Sequence, residues 1–203
     1  MHIPTAPTAE LSILPFDEAL AKSGQSGGYD AEKWLYVPDF YTEYRYILGT
    51  RGARPLICVG INPSTAEPEH LDPTLQSVQR IARGNGYDSF LMFNVYAQRA
   101  TRPDDMERAR NDALHAANMA AFSYLLSLSH APAVWAAWGN IIEKRAYLKD
   151  CLADMLALGE AHGARWFTAG ARSKRGHPHH PLYLRADSVL EPFDAAEYCR
   201  VRL

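Results

Sequence analysis

Residues 55–65 read Pro55-Leu-Ile-Cys-Val-Gly-Ile-Asn-Pro-Ser-Thr65, an apolar run followed by an abrupt polar turn. The run Leu56–Ile61 has the length and the β-branched content of a buried parallel strand. Pro63 ends it, because proline has no N–H for a sheet hydrogen bond and biases the preceding Asn62 toward an extended backbone. Since α/β folds place their sites at the carboxyl edge of an open sheet, Asn62 is the first candidate for a functional residue.

Three further apolar runs of strand length alternate with helical patterns. The runs are Phe90–Tyr96, Ala133–Trp138 and Arg165–Ala169. Asp72 as the N-cap and Pro73 as the first helical residue predict a helix after the first strand, and two more helical patterns cover residues 111–128 and 141–158. This alternation predicts parallel βαβ units with right-handed crossovers. We therefore expect an α/β fold, a three-layer α/β/α sandwich with a four-stranded parallel sheet.

The segments on either side of these repeating units have a different composition. Residues 1–28 contain three prolines and a Gly/Ser cluster, which predict a peripheral N-terminal arm that ends in a flexible linker. Residues 29–48 carry seven aromatic residues, whose ordinary role is to pack over a core and whose alternative role is to stack on nucleobases. Residues 170–203 are predicted to be a loop and a short tail. We expect one domain, residues 29–203, preceded by the arm.

Composition excludes several classes of function. A net charge of −2 excludes a globally basic coat for nucleic acid. The three cysteines lie far apart in the sequence without CxxC spacing, so a disulfide framework, a cysteine-based zinc site and a four-cysteine iron–sulfur cluster are unsupported. No apolar run approaches the roughly 18 residues of a membrane span, and the first residues lack the pattern of a signal peptide. We expect a cytoplasmic protein with no membrane partner.

Polar and basic residues follow three of the four predicted strands. The first strand leads into Gly60–Ser64, the second into Asn94–Pro103, and the fourth into Arg172–Leu184. No acidic residue lies between Glu160 and Asp187, so we expect a local positive field there. Such a field suits a ligand with phosphate groups or a nucleic-acid backbone, although a short basic run is also what an ordinary solvated loop contains.

The histidines of the last turn allow a metal site as an alternative. His177, His179 and His180 lie close in sequence, and His70 or Asp72 would supply a further ligand. Their spacing matches no recognised zinc pattern, and the basic surroundings oppose the binding of a cation. We therefore predict neither a metal nor a cofactor.

Four of these segments, taken in order, resemble the motifs of the uracil-DNA glycosylase superfamily. Gly60-Ile-Asn-Pro-Ser64 is similar to the GINPG-type turn of its mismatch-specific branch, and His177-Pro-His-His-Pro-Leu182 is similar to its HPSPLS motif. Residues 93–103 resemble its asparagine-and-proline segment, and residues 135–139 resemble its strand-plus-glycine before the last helix. The resemblance extends over about residues 55–185 and implies a glycosylase-like fold.

More closely, the whole pattern resembles an uncharacterised bacterial and phage family known only as a domain of unknown function. That family has the patterns NPSTA, DDPT, a wGy turn, NLFA.RAT.P, AWG and HPLYL in this order. The matching segments here are residues 62–66, 71–74, 85–87, 94–103, 137–139 and 176–184. This resemblance implies no activity, so function has to be argued from the residues of the site.

The glycosylase resemblance implies hydrolysis of an N-glycosidic bond. In that reaction the sugar gains positive charge, the base leaves as an anion and water attacks the anomeric carbon. Asn62 would hold the water or pair with the base, and Asp72, whose other predicted role is the N-cap, would assist the water. His177 or His180 would donate a hydrogen bond to the carbonyl oxygen of the leaving base. Two alignments with HPSPLS leave both histidines open.

The resemblance also implies residues that bind the substrate, which we expect to be DNA or a nucleotide. Asn94 would read the edge of the base, and Tyr96 or an N-terminal tyrosine would stack on it. Basic residues of the last turn would hold the flanking phosphates; these are Arg172, Lys174 and Arg175. The remaining candidates are Gly60, Ile61, Pro63, Ser64, Arg99 and Tyr183.

We therefore predict a metal-free, DNA glycosylase-like hydrolase of the base-excision type, acting on a modified or damaged base in DNA or on a nucleotide. The alternative is a binding module for nucleic acid or a nucleotide that keeps the fold without catalysis. That alternative rests on the turn Gly60–Ser64, which contains no carboxylate to activate water.

Overall fold

The computed structural model of the chain describes residues 1–203. One sheet of seven strands has the order β1-β2-β4-β3-β5-β6-β7. The strands are β1 Trp34–Val37, β2 Ile47–Thr50, β3 Pro55–Gly60, β4 Ser89–Asn94, β5 Ala133–Ala136, β6 Arg165–Ala169 and β7 Leu190–Pro192. The helices are α1 Phe16–Ala21, α2 Pro73–Gly84, α3 Asp112–Ser127, α4 Ala146–Ala161 and α5 Ala195–Arg202. None of these helices is both long and apolar enough to span a membrane.

The α/β class is confirmed, while the number of strands differs from the prediction. The strands β4, β3, β5 and β6 pair in parallel and coincide with the four apolar runs of the sequence. The sheet is wider than the predicted four strands, because β1 and β2 extend one edge and β7 extends the other, all in antiparallel pairing. These added strands have only three or four residues each. In β1 and β2 nearly every residue is also buried, so no alternation of apolar and polar residues marks them in the sequence.

Helices cover both faces of the sheet. Helix α2 lies on one face, where 16 buried apolar residues form a cluster. The other helices lie on the opposite face, with a cluster of 36 buried apolar residues. Residues 1–28, predicted to be a peripheral arm, supply Phe16 and Ala19 to this larger cluster. The central strands are buried on both sides, as their uninterrupted apolar sequences require.

The C-terminal segment is more structured than the loop and tail that the sequence predicted. It forms β7 and α5, and Tyr198 of α5 is 3 % exposed. The Tyr198 hydroxyl accepts a hydrogen bond from Nε1 of Trp138 at 3.0 Å and lies 2.7 Å from Nδ1 of His177. The prediction was wrong because α5 is mostly polar and has a single buried residue, which leaves no apolar stripe to recognise. This helix fixes one end of the histidine-containing turn.

Candidate functional site

A cavity of about 810 Å³ lies at the carboxyl edge of the parallel strands. The turn after β3, the end of β4, the start of α2 and the histidine-containing turn surround it. Nine of the residues predicted to form the site line this cavity, namely Gly60, Ile61, Asn62, Pro63, Ser64, Asp72, Asn94, His180 and Tyr183. Its volume lies within the range of small-molecule binding sites.

The Asn62 side chain is oriented by two backbone carbonyls. Its Nδ2 donates to the carbonyl oxygen of Ala100 at 2.7 Å and to that of Pro63 at 3.0 Å. Two carbonyl acceptors fix which end of the amide is the nitrogen. The Oδ1 atom accepts no hydrogen bond from the protein, so it is free to accept one from a water molecule or a base.

Asn94 holds an unpaired carboxamide at the cavity wall. The residue is 1 % exposed, and neither its Nδ2 nor its Oδ1 has a hydrogen-bond partner. A buried polar group without a partner costs about 1–3 kcal/mol, so such groups call for a specific explanation. A ligand that offers a donor and an acceptor side by side, as the edge of a nucleobase does, would satisfy both atoms once the side chains that cover them move aside.

His180 presents one ring nitrogen to the cavity. Its Nδ1 accepts a hydrogen bond from the backbone N–H of Leu182 at 3.3 Å, which caps the short 3₁₀ helix Pro181–Tyr183. Burial lowers the pKa of His180, and the neighbouring His179 lowers it further, against an opposing effect of Asp72. The imidazole is therefore neutral at pH 7. Because Nδ1 is an acceptor, the proton resides on Nε2, which can donate to a ligand.

Asp72 both caps α2 and lines the cavity. Its Oδ1 accepts from the backbone N–H of Leu75 at 2.9 Å, which confirms the predicted N-cap. Its other carboxylate oxygen accepts no hydrogen bond from the protein. One carboxylate oxygen thus stabilises the helix while the second remains available to the cavity.

Two exposed apolar residues stand at the mouth of the cavity. Leu182 is 40 % exposed and Tyr183 is 77 % exposed, and both line the cavity next to His180. The Tyr183 ring centroid lies 6.4 Å from that of His180. An aromatic and an aliphatic side chain at an opening offer a surface for stacking on a base.

His177 and Tyr96 lie outside the cavity. His177 is 1 % exposed, and its ring nitrogens contact the Tyr198 hydroxyl at 2.7 Å and Glu143 at 3.0 Å. Tyr96 is fully buried, and its hydroxyl accepts from the backbone N–H of Asn111 at 2.8 Å. Of the two histidines that the sequence left open, His180 is therefore the one that can reach a ligand in this cavity.

Arg99 is buried and supports the turn that follows β3. Its guanidinium is buried, stacks 4.3 Å from the Tyr41 ring centroid and donates to the Tyr36 hydroxyl at 3.0 Å. It also donates to the backbone carbonyl oxygens of Ser64 and Ala66. These contacts hold the segment after β3 in place, and Arg99 does not line the cavity.

The predicted basic patch is partly neutralised by acidic residues from elsewhere in the chain. Arg175 pairs with Glu143, and Arg185 pairs with Asp187. Arg172 lies over the Phe193 ring at 5.0 Å from its centroid. Lys174 is exposed and makes no ion pair. None of the basic residues predicted to hold phosphates lines the cavity, so the loop presents a weaker field than its sequence indicated.

Arg45 is a cavity residue that sequence reasoning missed. It is 1 % exposed, and its Nη1 donates to the carbonyl oxygen of Ala66 at 3.0 Å. Its signal in the sequence was a lone charge inside the aromatic and apolar segment Tyr44–Leu48. Other cavity residues that were not predicted include Thr74, Trp138 and Asn140.

The histidines do not assemble a metal site. No group of three His, Cys, Asp or Glu side chains in the structure is arranged to hold a metal ion. His177 instead contacts Tyr198 and Glu143, while His179 contacts the carbonyl oxygen of His180 at 3.0 Å.

A family model described as "Protein of unknown function (DUF1643)" matches residues 45–182, more than half of the chain. The matched segment begins at Arg45 and contains Asn62, Asn94 and His180. The match confirms the resemblance to an uncharacterised domain family. No curated protein and no solved structure matches the chain.

Proposed function

The chain belongs to DUF1643, a family of proteins of unknown function, and we propose that it is an N-glycosidic hydrolase for a nucleobase in DNA or in a nucleotide. The resemblance of four motifs to the uracil-DNA glycosylase superfamily supports this proposal. The geometry of the cavity supports it independently, because an amide reader, a water-binding oxygen, a carboxylate and a neutral histidine face one space.

The observation that carries the proposal is the buried, unpaired carboxamide of Asn94. An Asn side chain can pair in two-point fashion with the edge of a base that offers one donor and one acceptor. Gly60 lines the cavity directly beside this amide, since a Cβ atom at Gly60 would stand 3.0 Å from the Asn94 Oδ1. A base placed there satisfies two polar atoms that the protein leaves without partners.

The reaction assigns a role to each remaining group. The Asn62 Oδ1 accepts a hydrogen bond from the attacking water, and the free oxygen of Asp72 accepts the proton that this water loses. The Nε2–H of His180 donates to the carbonyl oxygen of the base as it becomes anionic. By analogy with other donors to a developing oxyanion, this bond contributes about 10²–10³ in rate.

The cavity mouth suits a base that has left its stack. An enzyme that acts on a base in a duplex extrudes the nucleotide into a pocket, and apolar side chains stabilise the disrupted stack. Leu182 and Tyr183 are exposed in that position. A free nucleotide would reach the same pocket without extrusion.

The test is a base-release assay on DNAs containing uracil, mismatches, damaged bases and hypermodified bases, together with the corresponding free nucleotides. Asn62→Ala, Asn94→Leu and His180→Ala are assayed in parallel. We expect release by the wild-type protein from at least one substrate and its loss in all three variants. Release that survives in Asn94→Leu would contradict the proposal.

A binding module on the same fold is the second candidate. The observation that favours it is the turn Gly60–Ser64, which has no carboxylate, together with the engagement of one Asp72 oxygen as a helix cap. Tight binding of one of these ligands without release from any of them would establish this alternative and exclude the hydrolase.

A further inference from the structure

Two arginines are buried side by side, and neither has a carboxylate partner. Arg45 and Arg99 are 1 % and 0 % exposed, both donate to the carbonyl oxygen of Ala66, and neither forms a salt bridge. A buried charge is expensive unless it is paired and hydrogen-bonded. Retaining two such charges next to a cavity requires an explanation.

The two guanidinium groups differ in how far the protein satisfies them. Arg99 donates to Ser64, Ala66 and Tyr36 and stacks on Tyr41, so its role is structural. Arg45 makes a single side-chain hydrogen bond, through Nη1, whereas the Nε atoms of both arginines are buried without a partner. Of the two, only Arg45 lines the cavity. Its Nη2 donates to no protein atom, so this is the donor that is left for a ligand.

The surroundings of Arg45 are those of the deep end of the cavity. The same space is lined by Gly60, Leu75, Met92 and Asn94. Gly60 and Met92 form an apolar surface beside the Asn94 amide. Asp72 is near enough to affect Arg45 electrostatically, yet it does not approach within salt-bridge distance. The Arg45 guanidinium thus lies near the Asn94 amide, which has both a donor and an acceptor, and it has no negatively charged partner within the protein.

We propose that Arg45 binds a terminal anionic oxygen group of the ligand, a monoester phosphate or a carboxylate, while Asn94 holds its nucleobase part. A group that reaches a residue with 1 % exposure must stand at an end of the ligand. An internal phosphodiester, which continues in both directions, does not meet that requirement. The substrate class is therefore a nucleoside monophosphate or a base that carries an acidic substituent.

The electrostatic environment agrees with this geometry. Burial, followed by the repulsion of Arg99, lowers the pKa of Arg45 to about 9. The Arg45 guanidinium therefore remains charged at neutral pH, but its charged form is less stable in this buried position than it would be in water. An anion within hydrogen-bond distance would stabilise the charged guanidinium and raise its pKa again.

The experiment is isothermal titration calorimetry on the full chain with neutral and anionic forms of the same ligand. One arm compares the four 2′-deoxynucleosides with their 5′-monophosphates, a second compares uracil with uracil 6-carboxylate, and a third uses inorganic phosphate alone. The wild-type protein is expected to bind at least one anionic form about 10- to 100-fold more tightly than its neutral counterpart. The first two arms identify whether a phosphate or a base substituent supplies the anion.

Arg45→Met and Arg99→Met are the matched variants. Arg45→Met removes an unpaired buried charge, so we expect an equal or higher Tm and complete loss of the preference for the anionic form. Arg99→Met removes three hydrogen-bond partners and a stacking contact, so we expect a lower Tm and an unchanged preference. Equal binding of neutral and anionic forms, no binding of any anionic form, or a preference that persists in Arg45→Met would overturn the proposal.

This inference rests on the proposed function for the nucleobase part of the ligand, and the two can fail separately. Selective anion binding that depends on Arg45, without base release, would support the anion site and contradict the proposed hydrolase activity. Base release from neutral nucleosides that is unaffected by Arg45→Met would do the reverse.

Discussion

Gly60 pairs with Asn94 across the parallel strands β3 and β4, and both residues line the cavity at this edge of the sheet. A Cβ atom on Gly60 would stand 3.0 Å from the Oδ1 of Asn94 and 2.6 Å from the terminal methyl group of Met92. The absence of a side chain at Gly60 therefore allows the Met92 methyl group and the Asn94 amide to pack closely against strand β3. A glycine at the end of a strand is often read as a turn residue, but here it allows close packing of neighbouring side chains beside the cavity.

The first prediction concerns this space. Gly60→Ala should lower ligand binding or base release at least tenfold, because the added methyl group would clash with the Met92 methyl group and press against the Asn94 amide, which changes the shape of the cavity there. The free energy of unfolding should fall by about 1–3 kcal/mol, as in other overpacked sites. Denaturant unfolding and the base-release assay measure the two effects.

Gly28→Ala is the matched control for Gly60→Ala. A Cβ atom at Gly28 meets nothing within 4 Å, so its stability should stay within about 0.5 kcal/mol of wild type and its activity should be unchanged. Full activity in Gly60→Ala would show that the ligand does not occupy this part of the cavity.

The second prediction separates a ligand-binding amide from a structural one. Asn94→Leu should leave the free energy of unfolding unchanged or raise it, because both polar atoms of Asn94 lack partners in the protein. Asn118→Leu should lower it by about 1–3 kcal/mol, because the Asn118 Nδ2 donates to the buried carbonyl oxygens of Asn94 and Val95. Denaturant unfolding of both variants makes the comparison. A large loss of stability in Asn94→Leu would mean that its amide has a structural role.

The sequence predicted the part of the fold that follows from long, uniform patterns. The runs beginning at Leu56 and Phe90 are apolar because strands buried on both faces have no polar side. The Asp72-Pro73 pair predicted the start of α2 because a side-chain cap and a preset backbone angle act within a few residues. Asn62, Asn94 and His180 could be predicted together, since the carboxyl ends of parallel strands share one edge of the sheet.

Other features depend on contacts between distant segments and could not be predicted. Strand β7 exists because three residues pair with β6, and α5 is held by one buried tyrosine. The choice of His180 over His177 depends on Tyr198, which lies 21 residues beyond His177. The position of Arg45 at the cavity depends on a backbone bond from its N–H to Ala97, which the local sequence does not encode.

The third prediction concerns pH. The pKa of His180 is lowered by burial from the ordinary value of 6.5, so below about pH 6.5 the unfolded chain binds this proton before the folded chain does. His180 therefore destabilises the fold as pH falls from 6.5 toward its lowered pKa, and has no such effect above pH 6.5. His180→Asn retains an acceptor for the cap while removing the titration.

The measurement is the free energy of unfolding of both proteins at pH 8 and pH 5.5. Wild type should lose more stability than His180→Asn on going to the lower pH, because only wild type carries the titrating group at this position. An identical pH dependence in the two proteins would mean that the His180 ring is solvated in the folded state.

The last prediction separates the two roles of Asp72. Asp72→Asn keeps an oxygen that accepts from Leu75, so the stability of α2 should be preserved, whereas Asp72→Ala should lose about 0.5–2 kcal/mol with the cap. If the free carboxylate oxygen accepts a proton from the attacking water, both variants should lose base release by about 10²–10⁴-fold, since an amide is not a base. If Asp72→Asn retains base release, and Asp72→Ala loses release only to the extent that this variant unfolds, then the carboxylate serves only as the helix cap. The activation of water would then have no carboxylate within the cavity, because Asp72 is the only acidic residue that lines it.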